Sequence, residues 1–280
     1  MTRATPIALV VSDVDGTLVT SGKILTERSR AAAARLDEAG IAFSIVSARP
    51  PLGMRMLVQP LDLRLPMGVY NGGGLVMPDL TVIEQRIVPP GTARAAVAVL
   101  RSFAVGIWAF ADDRWLVENP DSFYVAREER TIQAQPTIVQ NMDEHLDSIA
   151  KIVGVSGDFD RLAACETAAH QTLGTNASIV RSQLYYLDIT PAGTDKGNTI
   201  AALAQRLGIP TAQIATIGDM ENDVAMFRES GLSIAMGNAN PEVRRHADEV
   251  TLSNDEDGFA HAIEQMILPY GRNRDWPGQG

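Results

Sequence analysis

The sequence predicts an α/β fold, a doubly wound parallel sheet interrupted by an inserted α/β domain of roughly 100 residues. Three observations predict it. Short β-branched runs alternate with longer helical stretches along the chain. The first run, residues 7–11, is continuous and apolar, as in a strand buried on both faces. The rhythm restarts near Pro89-Pro90-Gly91 and returns to its first style after Thr190-Pro191-Ala192-Gly193, which places linkers on either side of the insertion.

The elements follow in order. After the 7–11 strand a helix is expected over 26–38, with Gly40 placed to end it. Residues 41–46 read as the second strand and 66–69 as a third, running into the turn-rich Asn71-Gly72-Gly73-Gly74. In the insertion, helix-like 92–103 precedes a strand at 105–110, and helix-like 159–173 leads into strands near 178–181 and 184–189. Beyond it come helix 196–207, strand 213–217, helix 221–229, and the segments 232–236, 241–247 and 255–267. The tail 272–280, with Pro and two Gly, is expected to fray.

Composition excludes several classes. With 45% hydrophobic and 21% charged residues in 280, the chain buries a sizeable core and is not disordered. A net charge of −10 argues against nucleic acid, whose phosphates need a basic face. Residues 89–188 hold 8 Lys/Arg and 13 Asp/Glu, net −5, so the excess acid is shared evenly between the insertion and the remainder. The single Cys165 excludes an internal disulfide and fits a reducing compartment. The apolar run at the start is too short for a signal peptide, and no window approaches the ~20 apolar residues of a membrane helix. A cytoplasmic globular protein is expected, with its oligomeric state open.

Chemistry concentrates where strands end. Ser12-Asp13-Val14-Asp15-Gly16-Thr17-Leu18 follows the first strand directly, and its two carboxylates, two residues apart, point the same way. Such close carboxylates repel, and a hard divalent cation would relieve that; an Asx-type turn is the plainer alternative. Thr216-Ile217-Gly218-Asp219-Met220-Glu221-Asn222-Asp223 follows another strand, with Asp223 expected one helical turn beyond Asp219. Asp219 alone reads equally as a helix N-cap. Two acidic pairs at two strand ends of one sheet, however, favour a four-carboxylate metal pocket over two independent caps. Ser47, at the end of the second strand before Pro50, can hold a phosphate oxygen together with a helix N-terminus, or simply cap that helix. Lys196 opens a helix, and Gly197 permits close backbone approach.

Taken together, Asp-x-Asp-Gly-Thr-Leu at 13–18, Ser47, Lys196-Gly197 and Gly-Asp-x-x-Asn-Asp at 218–223 resemble the four ordered motifs of the haloacid dehalogenase superfamily. The spacing between the second and third is similar to that of its Cof-type branch, subfamily IIB. Asn71-Gly72 and residues 187–196 also look Cof-like. The resemblance implies a Rossmann-like core from 1–88 and 189–280, an α/β cap from 89–188 that sets specificity, and an Mg²⁺-dependent phosphatase acting on a small phosphorylated metabolite, such as a sugar phosphate or phosphorylated cofactor. It implies Asp13 as the nucleophile that becomes an aspartyl-phosphate, and Asp15 as acid and then base. Asp13, the Asp15 carbonyl and Asp219 would hold Mg²⁺, with Asp223 and Asn222 completing or orienting that shell. Ser47 and Lys196 would bind the phosphoryl group, with Gly16, Ala48, Arg49, Asn71 and Asn222 also about the substrate. Ala48 departs from the family's usual glycine. Arg49 either contacts substrate or caps a helix, and Asp195 reads as an N-cap. A phosphomutase or phosphotransferase with the same nucleophile is the main alternative, and a non-catalytic phospho-Asp switch the more distant one. The four histidines show no metal-ligand spacing. Nine of the 15 aromatics lie in 89–188, read here as that domain's own core rather than as a substrate pocket.

Overall fold

The computed structural model describes residues 5–122 and 124–270; the tail expected to fray at 272–280 lies outside them. The first part of the chain forms β1 (Leu9–Asp13), α1 (Glu27–Glu38), β2 (Ala42–Val46), the short α2 (Arg55–Val58), β3 (Met67–Val69), β4 (Gly74–Val76) and β5 (Val82–Gln85). The insertion supplies α3 (Pro90–Ser102), β6 (Gly106–Ala111), β7 (Arg114–Val117), α4 (Val125–Ile132), β8 (Thr137–Ile138), β9 (Ile149–Val155), α5 (Phe159–Leu173), β10 (Ala177–Gln183) and β11 (Tyr186–Pro191). The chain then returns through α6 (Lys196–Leu207), β12 (Ile214–Gly218), α7 (Val224–Arg228), β13 (Leu232–Ala235) and β14 (Glu249–Val250).

Two sheets result. The core sheet has eight strands in the order β14-β13-β12-β1-β2-β3-β4-β5, and the cap sheet six in the order β10-β11-β9-β6-β7-β8. From β14 to β3 every pairing is parallel, giving the doubly wound core, while β4 and β5 add antiparallel edge strands. The turn at Asn71-Gly72-Gly73 is too short for a crossover helix, so the next strand must fold back beside β3. β1 is buried along its whole length, as its unbroken apolar run requires. Thr26 caps α1 by accepting from the Ser29 N–H, and Ala32, Ala33 and Leu36 face the core.

Register decides where the chemistry lies. Asp13 pairs with Val46, and Ser12 with Ile217, so β1, β2 and β12 end at one edge and present Asp13, Ser47 and Asp219 together. β1 and β12 flank the point where the strand order reverses, the crevice where doubly wound sheets bind ligands.

The expected helix over 221–229 is instead a 3₁₀ turn, Glu221–Asp223, followed by the short α7. The Asp223 side chain folds back onto the amides of Asp219 and Met220, which tightens that first turn. The segment 255–267 likewise divides into 3₁₀, α and π turns. In the insertion, β7, α4, β8 and β9 were not anticipated. Lys151 and Gly154 interrupt the apolar signal of β9, and α4 carries four charged residues in eight. The aromatics divide: Trp108, Phe110 and Trp115 are buried on the face turned toward the core sheet, where Tyr70 meets Phe110 at 6.1 Å between ring centroids. Tyr185 and Tyr186 instead line a cavity between the layers. Closure of the two layers is tight. A Cβ on Gly53 would lie 2.9 Å from the Ile132 side chain of α4.

Candidate active site

At the β1 end, Asp13 is 3% exposed and Asp15 follows two residues on, across the loop that Gly16 turns. Gly16 has φ +93°, and a Cβ there would stand 2.3 Å from an oxygen of Asp219, so any side chain would displace that carboxylate. Thr17 Oγ1 donates to Asp219 Oδ1 at 3.0 Å, and Asn238 Nδ2 donates to Asp219 Oδ2 at 3.2 Å and to the Gly16 carbonyl at 2.9 Å. Asp223 Oδ2 accepts the N–H groups of Asp219 and Met220 at 2.8 and 2.9 Å. Its other oxygen takes Lys196 Nζ at 2.5 Å, and the same ammonium donates to Asp13 Oδ1 at 2.6 Å. Lys196 is the first residue of α6, and its helix start is fixed by a reciprocal capping box between Asp195 and Asn198.

Charge at this cluster does not balance on protein groups alone. Burial pushes the Asp13 carboxyl up to about 7, against the pull of Lys196. Burial, with Asp13 and Asp223 adding to it, likewise raises Asp219 well above the usual carboxylate range. For Lys196 burial works against the charge, but Asp13 and Asp223 together hold it above lysine's ordinary value. Three buried carboxylates thus share one ammonium. Among the described residues, Asp13, Asp219 and Asp223 are the one group of His, Cys, Asp or Glu able to hold a metal, with ligand oxygens within 4.8 Å of one another. An all-oxygen, anion-rich donor set fits a hard divalent cation. The carboxylate of Asp15 stands outside this group.

Asp15 is instead claimed by cations. Arg49 Nε and Nη2 grip its two oxygens at 2.7 and 2.9 Å, and Lys23 Nζ adds a third contact at 2.7 Å. Burial alone would raise Asp15, but Arg49 and then Lys23 hold it far below the usual carboxylate range. Arg49 also meets the last turn of a helix, α4 of the cap, while lining the cavity. Its remaining Nη1 donates to the Gly53 carbonyl at 2.9 Å and to the Thr131 carbonyl of α4 at 3.2 Å, tying the Ser47 loop to the cap. Ser47 is 1% exposed and accepts the Arg49 N–H at 3.2 Å.

A cavity of about 40 Å³ lies between the layers. Asp13, Asp15, Ser47, Ala48, Arg49, Lys196 and Asn222 line it from the core side; Gly16 and Asn71 do not. Asn71, in the left-handed region at φ 57°, stands behind Asn222, accepting from its Nδ2 at 2.9 Å and donating to Asp188 Oδ2 at 2.8 Å. Asn222 Oδ1 is buried without a hydrogen-bond partner. Asp188 is fully buried in β11, and Lys151 of β9 reaches both its oxygens at 3.4 Å while donating to the Ala48 carbonyl at 2.8 Å. Sequence reasoning missed Lys23, Glu128, Lys151 and Asp188. For Lys151 and Asp188 a signal existed, since each is a charged residue within an apolar strand run, where an unpaired charge is rarely tolerated.

Fold and site together define a doubly wound α/β protein with an acidic centre at the switch point and a cap over it. The haloacid dehalogenase-like hydrolase family matches residues 10–263. The chain is 30% identical over 259 residues to an HMP-PP phosphatase of Cronobacter sakazakii, covering 92% of each. It is 27% identical to a 5-amino-6-(5-phospho-D-ribitylamino)uracil phosphatase of Bacillus subtilis, covering 92% of this chain and 97% of that one. A haloacid dehalogenase-like hydrolase from Bacteroides thetaiotaomicron superimposes with a TM-score of 0.81 at 29% identity, over 92% of this chain and 98% of that one. The chain belongs to the haloacid dehalogenase-like hydrolase family, as a Cof-type phosphatase. Among the described residues, no helix is long and apolar enough to cross a membrane.

Proposed function

We propose that the protein is a metal-dependent phosphatase of small phosphomonoesters, working in the cytoplasm through an aspartyl-phosphate on Asp13. The observation that carries this reading is the contact of Lys196 Nζ with Asp13 Oδ1 at 2.6 Å, beside the three-carboxylate cluster and at the floor of the cavity. An anionic nucleophile approaching an anionic phosphate needs positive charge held at the point of attack.

In the first half-reaction an Asp13 oxygen bonds to phosphorus as the ester P–O bond breaks, and the leaving oxygen takes a proton from Asp15. In the second, Asp15 takes a proton from water, which bonds to phosphorus and releases inorganic phosphate with Asp13 restored. Arg49 and Lys23 favour the base form of Asp15, the form that second half-reaction needs. Its protonated form requires those contacts to loosen. Ser47 and Lys196 hold phosphoryl oxygens, and Asn222, whose amide is oriented by Asn71, lines the same cavity. Asp13, Asp219, Asp223 and the Asp15 carbonyl would hold Mg²⁺, which supplies charge neutralisation and alignment of the phosphoryl group when bound.

Residues 89–188 act as the cap that sets specificity over the core of 1–88 and 189–280. The cap covers the cavity from the side opposite the core, and its opening would admit a substrate and its closing exclude water. The test is inorganic phosphate release from a panel of small phosphomonoesters, with Mg²⁺ and with chelator, wild type beside Asp13→Asn. Metal-dependent release that falls below about 10⁻³ of wild type in the variant supports the reading. Release that survives in the folded variant removes Asp13 as nucleophile, and phosphate appearing on an acceptor instead of in solution points to phosphotransfer.

A further inference from the structure

One buried acid in the cavity has no part in the chemistry above. Glu128 of α4 is 7% exposed and lines the cavity from the cap side, across from Asp13 and Asp15. Its Oε2 accepts the Tyr186 hydroxyl at 2.9 Å. Tyr186 is itself held by edge-on contacts with Trp108 and Tyr185, at 5.1 and 4.5 Å between ring centroids, so the carboxylate has a fixed aim. Among the described residues, Glu128 Oε1 accepts no hydrogen bond.

Among the described residues, no neighbouring cation donates a hydrogen bond to Glu128, although the charges of Lys151 and Arg49 act on it. Arg49 is spent on Asp15 and on the Gly53 and Thr131 carbonyls. Lys151 serves the Ala48 carbonyl and Asp188. Arg127 lies over the Tyr185 ring, 4.9 Å from its centroid. Burial pushes the Glu128 carboxyl above its ordinary range, against the pull of Lys151 and of the Tyr186 hydrogen bond. The missing donor belongs to whatever enters the cavity between Glu128 and Asp15, which is the side of the phosphate that the leaving group occupies.

We propose that Glu128 selects the leaving group: its free oxygen accepts a hydrogen bond from a hydroxyl or amino group there, and it disfavours one bearing a carboxylate or second phosphate. The inference rests on the proposed phosphatase reaction and adds its specificity. Discrimination by a polar group that a wrong substrate leaves unpaired, or meets with like charge, is far stronger than discrimination by apolar contact.

Two esters with the same three-carbon chain test it: glycerol 3-phosphate, ending in a hydroxyl, and 3-phosphoglycerate, ending in a carboxylate. Wild type is expected to favour the first by about tenfold or more in kcat/KM. In Glu128→Gln, which keeps the size and an acceptor for Tyr186, that ratio falls at least threefold; a smaller change overturns the proposal. So does wild type favouring 3-phosphoglycerate or ignoring glycerol 3-phosphate. If Glu128→Gln does not fold, Tyr186→Phe, which frees the carboxylate to swing, is held to the same threshold. Acetyl phosphate, run with wild type and Asp13→Asn, reports on the reaction separately. No turnover by wild type, or equal turnover by both, sinks the phosphatase reading and the inference with it. Normal Asp13-dependent turnover with an unchanged ester ratio sinks the inference alone.

Discussion

Replacing Lys151 by methionine removes one partner of a buried ion pair and keeps most of the side chain's volume. Asp188 then stands fully buried with only the Asn71 amide against it, and the Ala48 carbonyl loses its donor. Breaking a buried pair in this way costs about 3–5 kcal/mol, because the remaining charge is uncompensated. For a chain of this size, with a urea m-value near ~3 kcal/mol/M, that is a midpoint lower by roughly 1–2 M. Cap opening would hydrate Asp188 and hold the loss toward the lower figure. Asp188→Asn added to Lys151→Met removes the stranded charge while keeping an acceptor for Asn71, so the double variant should recover half or more of the loss. The assay is urea unfolding of the four proteins of this cycle. A Lys151→Met midpoint within about 0.3 M of wild type, or losses that simply add in the double variant, would refute the account of the pair as a matched charge.

Two further predictions concern the acidic cluster. Asp13 has a folded-state value near 7 against an ordinary 3.8, so the folded protein holds its proton more tightly than the unfolded chain. In chelator, the stabilisation from this group is present below about pH 4 and is lost as pH rises toward 7; thermal midpoints of Asp13→Asn should decline less over that window. Mg²⁺ at a hundred times its dissociation constant should stabilise wild type by about 2.7 kcal/mol. Asp219→Asn should lose most of that shift in a thermal melt, and so should Gly16→Ala, whose methyl would press on the Asp219 carboxylate. A full Mg²⁺ shift in both variants would place the cation elsewhere.

Much of the core was readable because its determinants are local. The apolar run of β1, the helix start at Thr26 and the Asp195 cap of α6 act within a few residues, although β1 covers Leu9–Asp13 where the run reads as 7–11 and so takes Asp13 into the strand. The placing of Asp13, Ser47 and Asp219 at one edge follows from parallel pairing, which the alternation of strands and helices already implies. The cap's contribution was not readable. Lys151, Asp188 and Glu128 gain their meaning from partners that sit on other elements, Ala48, Asn71 and Tyr186, and no spacing along the chain encodes those meetings. Arg49 shows the same limit: its position in the motif was plain, but its grip on Asp15 comes from the pairing of β1 with β2, and its hold on the end of α4 from the packing of the cap against the core.

Arg86 joins the outgoing connection to the returning one, donating to the carbonyls of Ala192 and Gly193 at 2.6 and 3.1 Å. The two crossings between sheets are therefore strapped side by side at one joint. Immediately beyond it, Gly72 packs so closely on the Asp195 carbonyl that a Cβ would lie 2.0 Å away, and the capping box clamps the same residue from the other side. Asp195, and with it Lys196, is thereby anchored to the core layer just past the crossings. Such a joint makes the molecule modular. The upper layer can be rewritten by mutation, trading one substrate for another, while the ammonium beneath it stays in register with its aspartate.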